Sequence, residues 1–554
     1  MKKLITVLVL VITVLPASYY LLGRGYFNMH DDLQVMRIFQ MDKCFADGQM
    51  PCRWSPDMVW GYGQAMFNFY SALPYYLGEL IRLATPLSIM ATVKTLFLIS
   101  IVASAIGMYL LAKEFWGRLG GLLSAALYTY APYHVLDIFV RGALAESFAL
   151  SILPFLWLFF YKLVKNPNYK NVAFTSIALS LLLTTHNISS LIYAPFTILW
   201  VLFWLAKFKS GKSVMAIILA GLMGIGLASF FILPAIYEQS LIQTKYLTSE
   251  YSDYHAHFVT LKQLFIQRKW GFGPSIFGPY DDLSFQIGWP HWWLSVPAFL
   301  VGLFWIFKKR FTQSLMVFGL LALFLLSAFL AHPRSVFVWD AIPLMKFVQF
   351  PWRFLSLTIF FISFAGGAFV KPKIILRKTT VISMILLIIW LNFSFLKPFN
   401  FSRDVTDENK LTGIGYELQQ KAAVLDYLPK TAELAPPAPA SPSPKVISGK
   451  GVISSFTKQS NRFSFDIDVY DDSEVVIPVM YFPNWIVIID NQKVESGTNG
   501  AHGVISVKIP RGKHIVRGRF TNTPVRSLGN ALSVASLIIL FSGLVISENR
   551  RINK

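Results

Sequence analysis

The chain has 554 residues, of which 55% are hydrophobic and 14% are charged, and its mean hydropathy is +0.52. This composition excludes an ordinary soluble protein and is typical of a chain that crosses a membrane several times. The formal net charge is +21, but we expect no nucleic-acid partner, because many of the basic residues lie in connections between apolar segments.

Apolar segments recur along the chain, and each is long enough to cross a hydrocarbon core of ~30 Å as a helix. The segment at the start could instead be a cleaved signal peptide, since Lys2 and Lys3 precede it. Another apolar stretch, Phe67 to Leu83, is interrupted by Pro74 and predicts an interfacial or re-entrant helix. We predict about twelve transmembrane helices, at residues 4–22, 90–112, 118–136, 143–163, 171–188, 190–206, 214–236, 292–307, 312–331, 353–370, 379–397 and 527–546.

Basic residues are concentrated in alternate connections between these segments and at both ends of the chain. By the positive-inside rule these connections lie in the cytoplasm, so the remaining loops face outward. The sequence therefore predicts a multi-pass protein of the cytoplasmic (inner) membrane whose active face is extracytoplasmic. The basic clusters are Lys2 and Lys3; Lys113 and Arg118; Lys162, Lys165 and Lys170; Lys207, Lys209 and Lys212; Lys308, Lys309 and Arg310; Lys371, Lys373, Arg377 and Lys378; and Arg550, Arg551 and Lys554.

The first outer loop, residues 23–88, opens with an acidic pair. Asp31 and Asp32 follow His30 at the point where the membrane ends and water begins. Two adjacent like charges repel and perturb each other's pKa, which is a reason to suspect chemistry. The alternative is that the pair caps the helix that follows.

The same loop contains both cysteines of the chain, Cys44 and Cys52. In an oxidising compartment they could form a disulfide that braces the segment carrying the acidic pair. A zinc site is less favoured, because there is no second cysteine pair and the nearest histidine is His30.

Further polar residues lie at the outer ends of other predicted spans. A charge within a bilayer segment costs roughly 2.5–3.5 kcal/mol, so charges that persist there usually face a cavity. Each residue alone could be a snorkelling or capping residue, but their common side of the membrane predicts a shared outward-facing polar cavity. The set comprises His134, Asp137, Arg141, Glu146, His186, Asn187, Glu238, Gln349 and Arg353, together with the acidic pair.

The last outer region contains a separate predicted domain. A Pro/Ala/Ser linker from Ala435 to Pro444 is followed by short runs of alternating apolar and polar residues, which predict an all-β sandwich or barrel-like module. Its role could be to cover the membrane site or bind an acceptor, and a passive cap is an equal alternative. The predicted divisions are 1–397, a transmembrane domain with outer loops 23–88 and 237–291; 398–444, an extracytoplasmic segment with the linker; 445–525, the β-domain; and 526–554, the last transmembrane helix and a cytoplasmic tail.

Several blocks resemble the GT-C class of membrane glycosyltransferases and, more narrowly, bacterial YfhO-like membrane proteins labelled 6-pyruvoyl-tetrahydropterin synthase-related. The resemblance covers nearly the whole chain, although the histidine-triad zinc site of pterin synthases is absent. It implies an α-helical polytopic membrane protein with a C-terminal extracytoplasmic all-β domain before the last helix. The blocks are His30-Asp31-Asp32 through Arg37; Gly48 to Trp54; Arg141 to Glu146; Thr185-His186-Asn187; Gln349 to Arg353; and Tyr481 to Trp485 with Asp490, Lys493 and Val494.

The resemblance also implies a reaction: inverting transfer of a sugar from a polyprenyl-phosphate donor to an extracytoplasmic acceptor, which could be a cell-envelope polymer, a lipid or a protein. Asp31 or Asp32 matches the acidic position that acts as general base. Arg141, Arg353 and His186 are candidates for binding the donor phosphate. The residues that could bind the sugar or acceptor, or orient these cations, are Glu146, Glu238, His30, Asn187 and Gln349.

The sequence leaves open whether a metal is bound and which function is correct. A divalent metal could bind through Asp31, Asp32 and Glu238, but nothing in the sequence requires one. The partners we expect are membrane lipid, the polyprenyl-phosphate donor and the acceptor. The alternative functions are a transporter or flippase of lipid-linked saccharides and a non-catalytic scaffold for envelope-polymer assembly.

Overall fold

A computed structural model describes residues 2–278, 281–370 and 378–552. The predicted basic residues Lys371, Lys373, Arg377 and Lys554 lie outside these ranges. The helices are α1 (Lys2–Ala17), α2 (Tyr19–Leu22), α3 (Gln34–Ala46), α4 (Leu73–Ala84), α5 (Ile89–Thr129), α6 (Pro132–Phe139), α7 (Leu144–Lys165), α8 (Tyr169–Thr185), α9 (Asn187–Phe208), α10 (Gly211–Tyr237), α11 (Leu261–Phe265), α12 (Trp289–Trp293), α13 (Ser295–Phe307), α14 (Phe311–Leu330), α15 (Val336–Ala341), α16 (Leu355–Gly366), α17 (Lys378–Asn392), α18 (Asp407–Leu411), α19 (Gly413–Ala423) and α20 (Pro524–Ile552).

The structure confirms a polytopic helical protein. Within the described ranges, nine helical segments are long and apolar enough to cross a membrane. The predicted spans 90–112 and 118–136 share the 41-residue helix α5, which is interrupted at Gly117, where a φ of 77° favours glycine. The second of these predictions extends too far, because α5 ends at Thr129 and Pro132 begins a new helix. Helices α1 and α8 have 16 and 17 residues, so the count of twelve stays a prediction.

Two segments that were predicted to face outward, residues 23–88 and 398–444, are joined next to the acidic pair. Strand β1 (Tyr26–Asn28) pairs antiparallel with β2 (Phe399–Ser402). The carboxylate of Asp407, the first residue of α18, accepts hydrogen bonds from the backbone N–H groups of Ile89 and Met90 at 2.7 and 2.9 Å. These contacts fix α18 and α19 beside the residues that follow α2, so the segment preceding the linker is part of the packed structure.

The C-terminal module is all-β, as predicted. Its strands form one seven-stranded sheet in the order β6-β5-β9-β4-β8-β7, with β3 also paired to β4, and not the two sheets of a sandwich. The reason is the length of β4, whose first half pairs with β9 and whose second half pairs with β8. The strands are β3 (Lys445–Lys458), β4 (Arg462–Met480), β5 (Trp485–Ile489), β6 (Gln492–Val494), β7 (Gly497–Asn499), β8 (Val504–Ile509) and β9 (Gly512–Phe520).

This sheet packs on the first outer loop. The ring of Trp54 lies 5.3 Å from that of Trp485 and 5.0 Å from that of Phe520. In the same loop Cys44 and Cys52 form a disulfide, with their Cα atoms 5.5 Å apart. The outer regions therefore stabilise one another above the helices.

Candidate functional site

A cavity of about 1040 Å³ lies between the ends of the helices and the outer regions. Nine of the ten residues proposed for catalysis, phosphate binding or orientation line it, although they come from distant parts of the chain. They are His30, Asp31, Asp32, Arg141, Glu146, His186, Asn187, Gln349 and Arg353. The exception is Glu238.

Asp31 is held at one end of this cavity by several donors. Its two carboxylate oxygens accept hydrogen bonds from a guanidinium nitrogen of Arg37 at 2.9 and 2.8 Å. One of these oxygens also accepts from Gln34 at 2.9 Å and from the Tyr70 hydroxyl at 3.3 Å. The Arg37 guanidinium lies 4.0 Å from the centre of the Tyr70 ring, and Arg37 itself is buried. Asp31 is therefore fixed in position with both oxygens engaged.

Asp32 has a different environment. One of its oxygens forms an ion pair with Lys410 of α18, and the other is buried without a hydrogen-bond partner among the residues that the structure describes. Burial raises the pKa of Asp32, while the charge of Lys410 opposes this rise and that of Asp31 adds to it. The alternative role of the pair as a helix cap is not seen, because the N-cap of α3 is Leu33.

The backbone connects the acidic pair to the first arginine. The N–H groups of His30 and Asp31 donate to the carbonyl oxygens of Val140 and Arg141, each at 2.9 Å. The next residue, Gly142, has a φ of 63°, and a Cβ there would lie 2.3 Å from the sulfur of Met29. Glycine is required for this close approach, which places the backbone of Asp31 beside that of Arg141 in the lining of the cavity.

The other end of the cavity is formed around Glu146. Its carboxylate lies 2.8 Å from Arg141 and 3.7 Å from the Nε of Arg353. Arg141 also pairs with Asp137 and stacks 4.5 Å from the ring of Trp352. Because two arginines face two carboxylates here, an incoming anion would enter a cluster whose charges are already balanced when all four are ionised.

Arg353 is the less completely paired of the two arginines. Its NH1 donates to the Val348 carbonyl at 2.7 Å and to the Gln349 side chain at 2.9 Å. Its Nε is buried and has no hydrogen-bond partner within the described ranges. Gln349 has a φ of 66°, an uncommon conformation outside glycine. Arg353 therefore has one buried guanidinium N–H without a hydrogen-bond partner among the described residues.

His186 lies at the N-terminus of α9. Its Nδ1 accepts from the backbone N–H of Ser189 at 3.3 Å and is 2.7 Å from the hydroxyl oxygen of the same residue. The ring therefore caps the helix and also lines the cavity.

The prediction that Glu238 shares this cavity is wrong. Glu238 is 4% exposed and lies 2.9 Å from Arg526 of α20, and it accepts from Thr523 and Asn68 at 2.6 and 3.1 Å. Helix α10 packs along α20. Glu238 therefore pairs with Arg526 and does not line the cavity. His134 does not line the cavity either, since its ring packs against Tyr128. Asp137 reaches it only through Arg141.

A family model described as "6-pyruvoyl-tetrahydropterin synthase related domain; membrane protein" matches residues 67–402. The chain belongs to this family. The match confirms the narrower resemblance seen in the sequence. It includes Arg141 and Arg353 but begins after the acidic pair and Arg37.

The individual relatives and solved structures to which the chain is similar have low sequence identity to it. The chain is 24% identical over 275 residues to an uncharacterized protein of Lactococcus lactis subsp. cremoris (strain MG1363), a match that spans 48% of this chain and 44% of that protein. The oligosaccharyltransferase of Archaeoglobus fulgidus in its apo form has 13% identity and a TM-score of 0.38, over 76% of this chain and 60% of that one. The arabinofuranosyltransferase AftD from Mycobacteria has 13% identity and a TM-score of 0.45, over 73% and 28%.

Three further charged residues line the cavity, although the sequence did not predict them as site residues: Arg37, Lys410 and Asp426. Arg37 had a local signal, because it follows the acidic pair within the same block. Lys410 and Asp426 come from the segment before the linker, where no motif marked them. Burial raises the pKa of Asp426 to about 6, with the charges of Arg37 and Asp31 acting in opposite directions.

The proposed metal ligands do not come together. Asp31 and Asp32 face the cavity, whereas Glu238 is paired with Arg526. In the part of the chain that the structure describes, no group of three or more His, Cys, Asp or Glu side chains could hold a metal ion.

Proposed function

We propose that the chain is a membrane glycosyltransferase that moves a sugar from a polyprenyl-phosphate donor to an acceptor outside the cytoplasm, with inversion at the sugar carbon. The observation that carries this proposal is a single cavity that is lined both by the acidic pair and by Arg141 and Arg353. The GT-C resemblance of the sequence supports the same reaction. The basic connections support the outward orientation.

In the proposed reaction the two ends of the cavity have different tasks. The acceptor hydroxyl oxygen attacks the sugar carbon on the face opposite the phosphate, so a carbon–oxygen bond forms to the acceptor as the bond to the phosphate oxygen breaks. The hydroxyl proton passes to an aspartate, and the polyprenyl phosphate leaves. Inversion needs the base and the leaving group on opposite sides of the sugar, so in this proposal the sugar lies between the acidic pair and the phosphate that the arginines hold.

We assign the base to Asp32. Its free oxygen can accept a proton, and burial raises the pKa of this carboxylate, which makes it a stronger base. Asp31 is less suited, because both of its oxygens already accept hydrogen bonds and Arg37 stabilises its charge. We propose that Asp31 fixes the acidic end, while Arg353, with Arg141 and His186, binds the phosphate.

The test is an assay of the purified protein in detergent with a panel of polyprenyl-phosphate sugars, in which released polyprenyl phosphate and glycosylated product are measured. We expect Asp32→Asn to reduce the rate by ~10²–10⁴-fold, the scale for loss of a general base, and Asp31→Asn to reduce it less. Asp404→Asn, at an exposed outer aspartate, is the matched control. Full activity of Asp32→Asn would refute the assignment of the base. Movement of substrate across a membrane without covalent product would support the transporter.

A further inference from the structure

One end of the β-domain carries an exposed group of cations on a single face of the sheet. Along β9, Arg517 and Arg519 are exposed, while the residues on either side of each are buried. The two arginines therefore share the outer face of the strand. The register of the sheet places Arg462 of β4, which is also exposed, directly opposite Arg519. We define the basic face as Arg462, Arg517 and Arg519.

The charges of the basic face are not balanced by carboxylates. Cross-strand neighbours of like charge destabilise a sheet, and Arg462 and Arg519 are such neighbours. Among the residues that the structure describes, none of the three arginines forms an ion pair. Towards the other end of the same face the charges are matched, since Lys513 of β9 lies 3.8 Å from Asp468 of β4. The unbalanced positive charge is therefore confined to one end of the sheet.

Apolar side chains lie beside these arginines on the same face. Ile486 of β5 is opposite Arg519, and Ile488 is opposite Arg517. Both isoleucines are half-buried, and the exposed Lys493 of β6 is opposite Ile488. The surface thus combines cations with partly exposed hydrocarbon, a combination that is typical of surfaces at the boundary between lipid headgroups and acyl chains.

The basic face lies at the end of the sheet that adjoins the apolar helices. Arg519 precedes Phe520, whose ring lies 5.0 Å from that of Trp54. The residue before this tryptophan, Arg53, donates to the Asn530 side chain of α20 at 2.7 Å. Helix α20 is long and apolar enough to cross a membrane and begins five residues after Arg519, so at most ~18 Å of chain separates the two. The basic face is therefore close to the headgroup layer, which extends ~5–8 Å beyond the hydrocarbon core.

We propose that the basic face binds anionic lipid headgroups and holds the β-domain against the membrane surface. Arginine donates to phosphate oxygens in a bidentate way, so one headgroup phosphate can lie between Arg462 and Arg519 and offset their repulsion. Ile486 and Ile488 then contact the upper part of the acyl region. A soluble polyanion would match the charge but would leave these isoleucines in water. This inference does not depend on the proposed sugar transfer.

The experiment measures lipid contact at the basic face of the full-length protein. A fluorophore is attached at Thr457→Cys, an exposed position of β3 opposite Ser464, which is itself opposite Arg517. The two natural cysteines are already joined in a disulfide. The protein in neutral detergent is titrated with phosphatidylglycerol or phosphatidylcholine that carries a quenching spin label at the top of one acyl chain. We expect saturable quenching by phosphatidylglycerol at concentrations at which phosphatidylcholine has little effect.

Variants of the basic face test its part in this contact. A basic residue near an anionic surface contributes about fivefold to affinity at low salt. We therefore expect Arg519→Gln to raise the phosphatidylglycerol concentration for half-maximal quenching about fivefold, and Arg517→Gln/Arg519→Gln to raise it about 25-fold. Lys513→Gln removes the same charge from the matched end of β9 and should leave this concentration unchanged. The unfolding midpoint of Arg519→Gln in neutral detergent should not fall, because the variant removes a pair of like charges.

Each outcome decides for or against the proposal. Weaker quenching that is confined to the arginine variants supports it. Equal quenching by the two lipids, or an equal effect of Lys513→Gln, overturns it, because the contact would then not depend on the basic face. A fluorescence change on addition of soluble polyphosphate, together with no quenching by phosphatidylglycerol, would also overturn it and assign the basic face to a soluble polyanion.

Discussion

Two buried clusters of carboxylates and arginines lie at the same end of the helices, and only one of them lines the cavity. Glu146 and Glu238 are equally well buried, at 2% and 4% exposure. Both contact arginines from distant parts of the sequence. Burial and charge therefore do not distinguish a candidate site from a structural contact in this protein.

The two clusters differ in how closely the arginine from the distant segment approaches the carboxylate. In the Glu238 cluster, Arg526 has its Nε 3.0 Å and its NH2 2.9 Å from the carboxylate, while its NH1 donates to the Thr521 carbonyl at 3.0 Å. In the Glu146 cluster, the Nε of Arg353 is buried, lies 3.7 Å from the carboxylate, beyond hydrogen-bond distance, and has no hydrogen-bond partner among the described residues. Arg353 lines the cavity and Arg526 does not, and for this reason we propose Arg353 and not Arg526 for ligand binding.

The largest expected effect is on stability, at the closed cluster. Arg526→Met leaves the Glu238 carboxylate buried without its main partner, and we expect the free energy of unfolding to fall by ~3–5 kcal/mol. The double variant Glu238→Gln/Arg526→Met should recover much of this loss. Denaturant unfolding in detergent measures both, and the folded fraction should bind undecaprenyl phosphate normally. A stable Arg526→Met variant with impaired phosphate binding would reverse the roles of the two clusters.

A smaller effect, on binding, is expected at the open cluster. Arg353→Gln removes a charged donor to the phosphate, and we expect affinity for undecaprenyl phosphate to fall roughly 10- to 100-fold, as for loss of one or two charge-assisted hydrogen bonds. The free energy of unfolding should change less than in Arg526→Met, because the Nε of Arg353 lies 3.7 Å from the Glu146 carboxylate and forms no hydrogen bond with it. Arg353→Lys keeps the charge but not the forked geometry. Its affinity for undecaprenyl phosphate should lie between that of Arg353→Gln and that of the unmodified protein. Unchanged affinity in Arg353→Gln would remove the proposed phosphate site.

The sequence predicted most of the residues that line the cavity, because they lie at the same predicted ends of the apolar segments and several belong to recognisable blocks. It failed at Glu238, since the partner that encloses this residue, Arg526, lies 288 positions later in the last helix. It also missed Lys410 and Asp426. Their approach depends on the pairing of β1 with β2 and on the Asp407 contact with α5, and no local pattern encodes such tertiary contacts.

The same limit applies to the fold. Alternation of apolar and polar residues predicted the β-domain. The number of sheets depends on β4, because its 19 residues pair with different strands along their length and so join all the strands in one sheet. Hydropathy predicted the apolar segments, whereas the break at Gly117 and the early end of α5 at Thr129 depend on backbone conformation. Local periodicity identifies elements, and long-range pairing arranges them.

The smallest expected effect concerns Lys410, the cation paired with the proposed base. Asp32 faces the positive charge of Lys410 and the negative charge of Asp31, with the Tyr26 hydroxyl also nearby. Because Lys410 favours the ionised form, Lys410→Met should raise the pKa of Asp32 further above its usual value. The acid limb of the rate profile then moves to higher pH, and the rate on that limb falls roughly 2- to 5-fold, the range for a partly exposed ion pair.

This change has a signature that a structural role would not produce. Above the limb, where Asp32 is ionised with or without its partner, the rates of Lys410→Met and the unmodified protein should converge, and Lys410→Arg should keep the original profile. Lys421→Met, at a lysine whose side chain is 65% exposed on α19, is the matched control and should leave the profile unmoved. A uniform loss at every pH would instead indicate that Lys410 only holds α18 in place. An acid limb that moves with Arg37→Gln but not with Lys410→Met would transfer the role of base from Asp32 to Asp31, because Arg37 is the counter-ion of Asp31 and only the aspartate that titrates in the reaction responds to its own counter-ion.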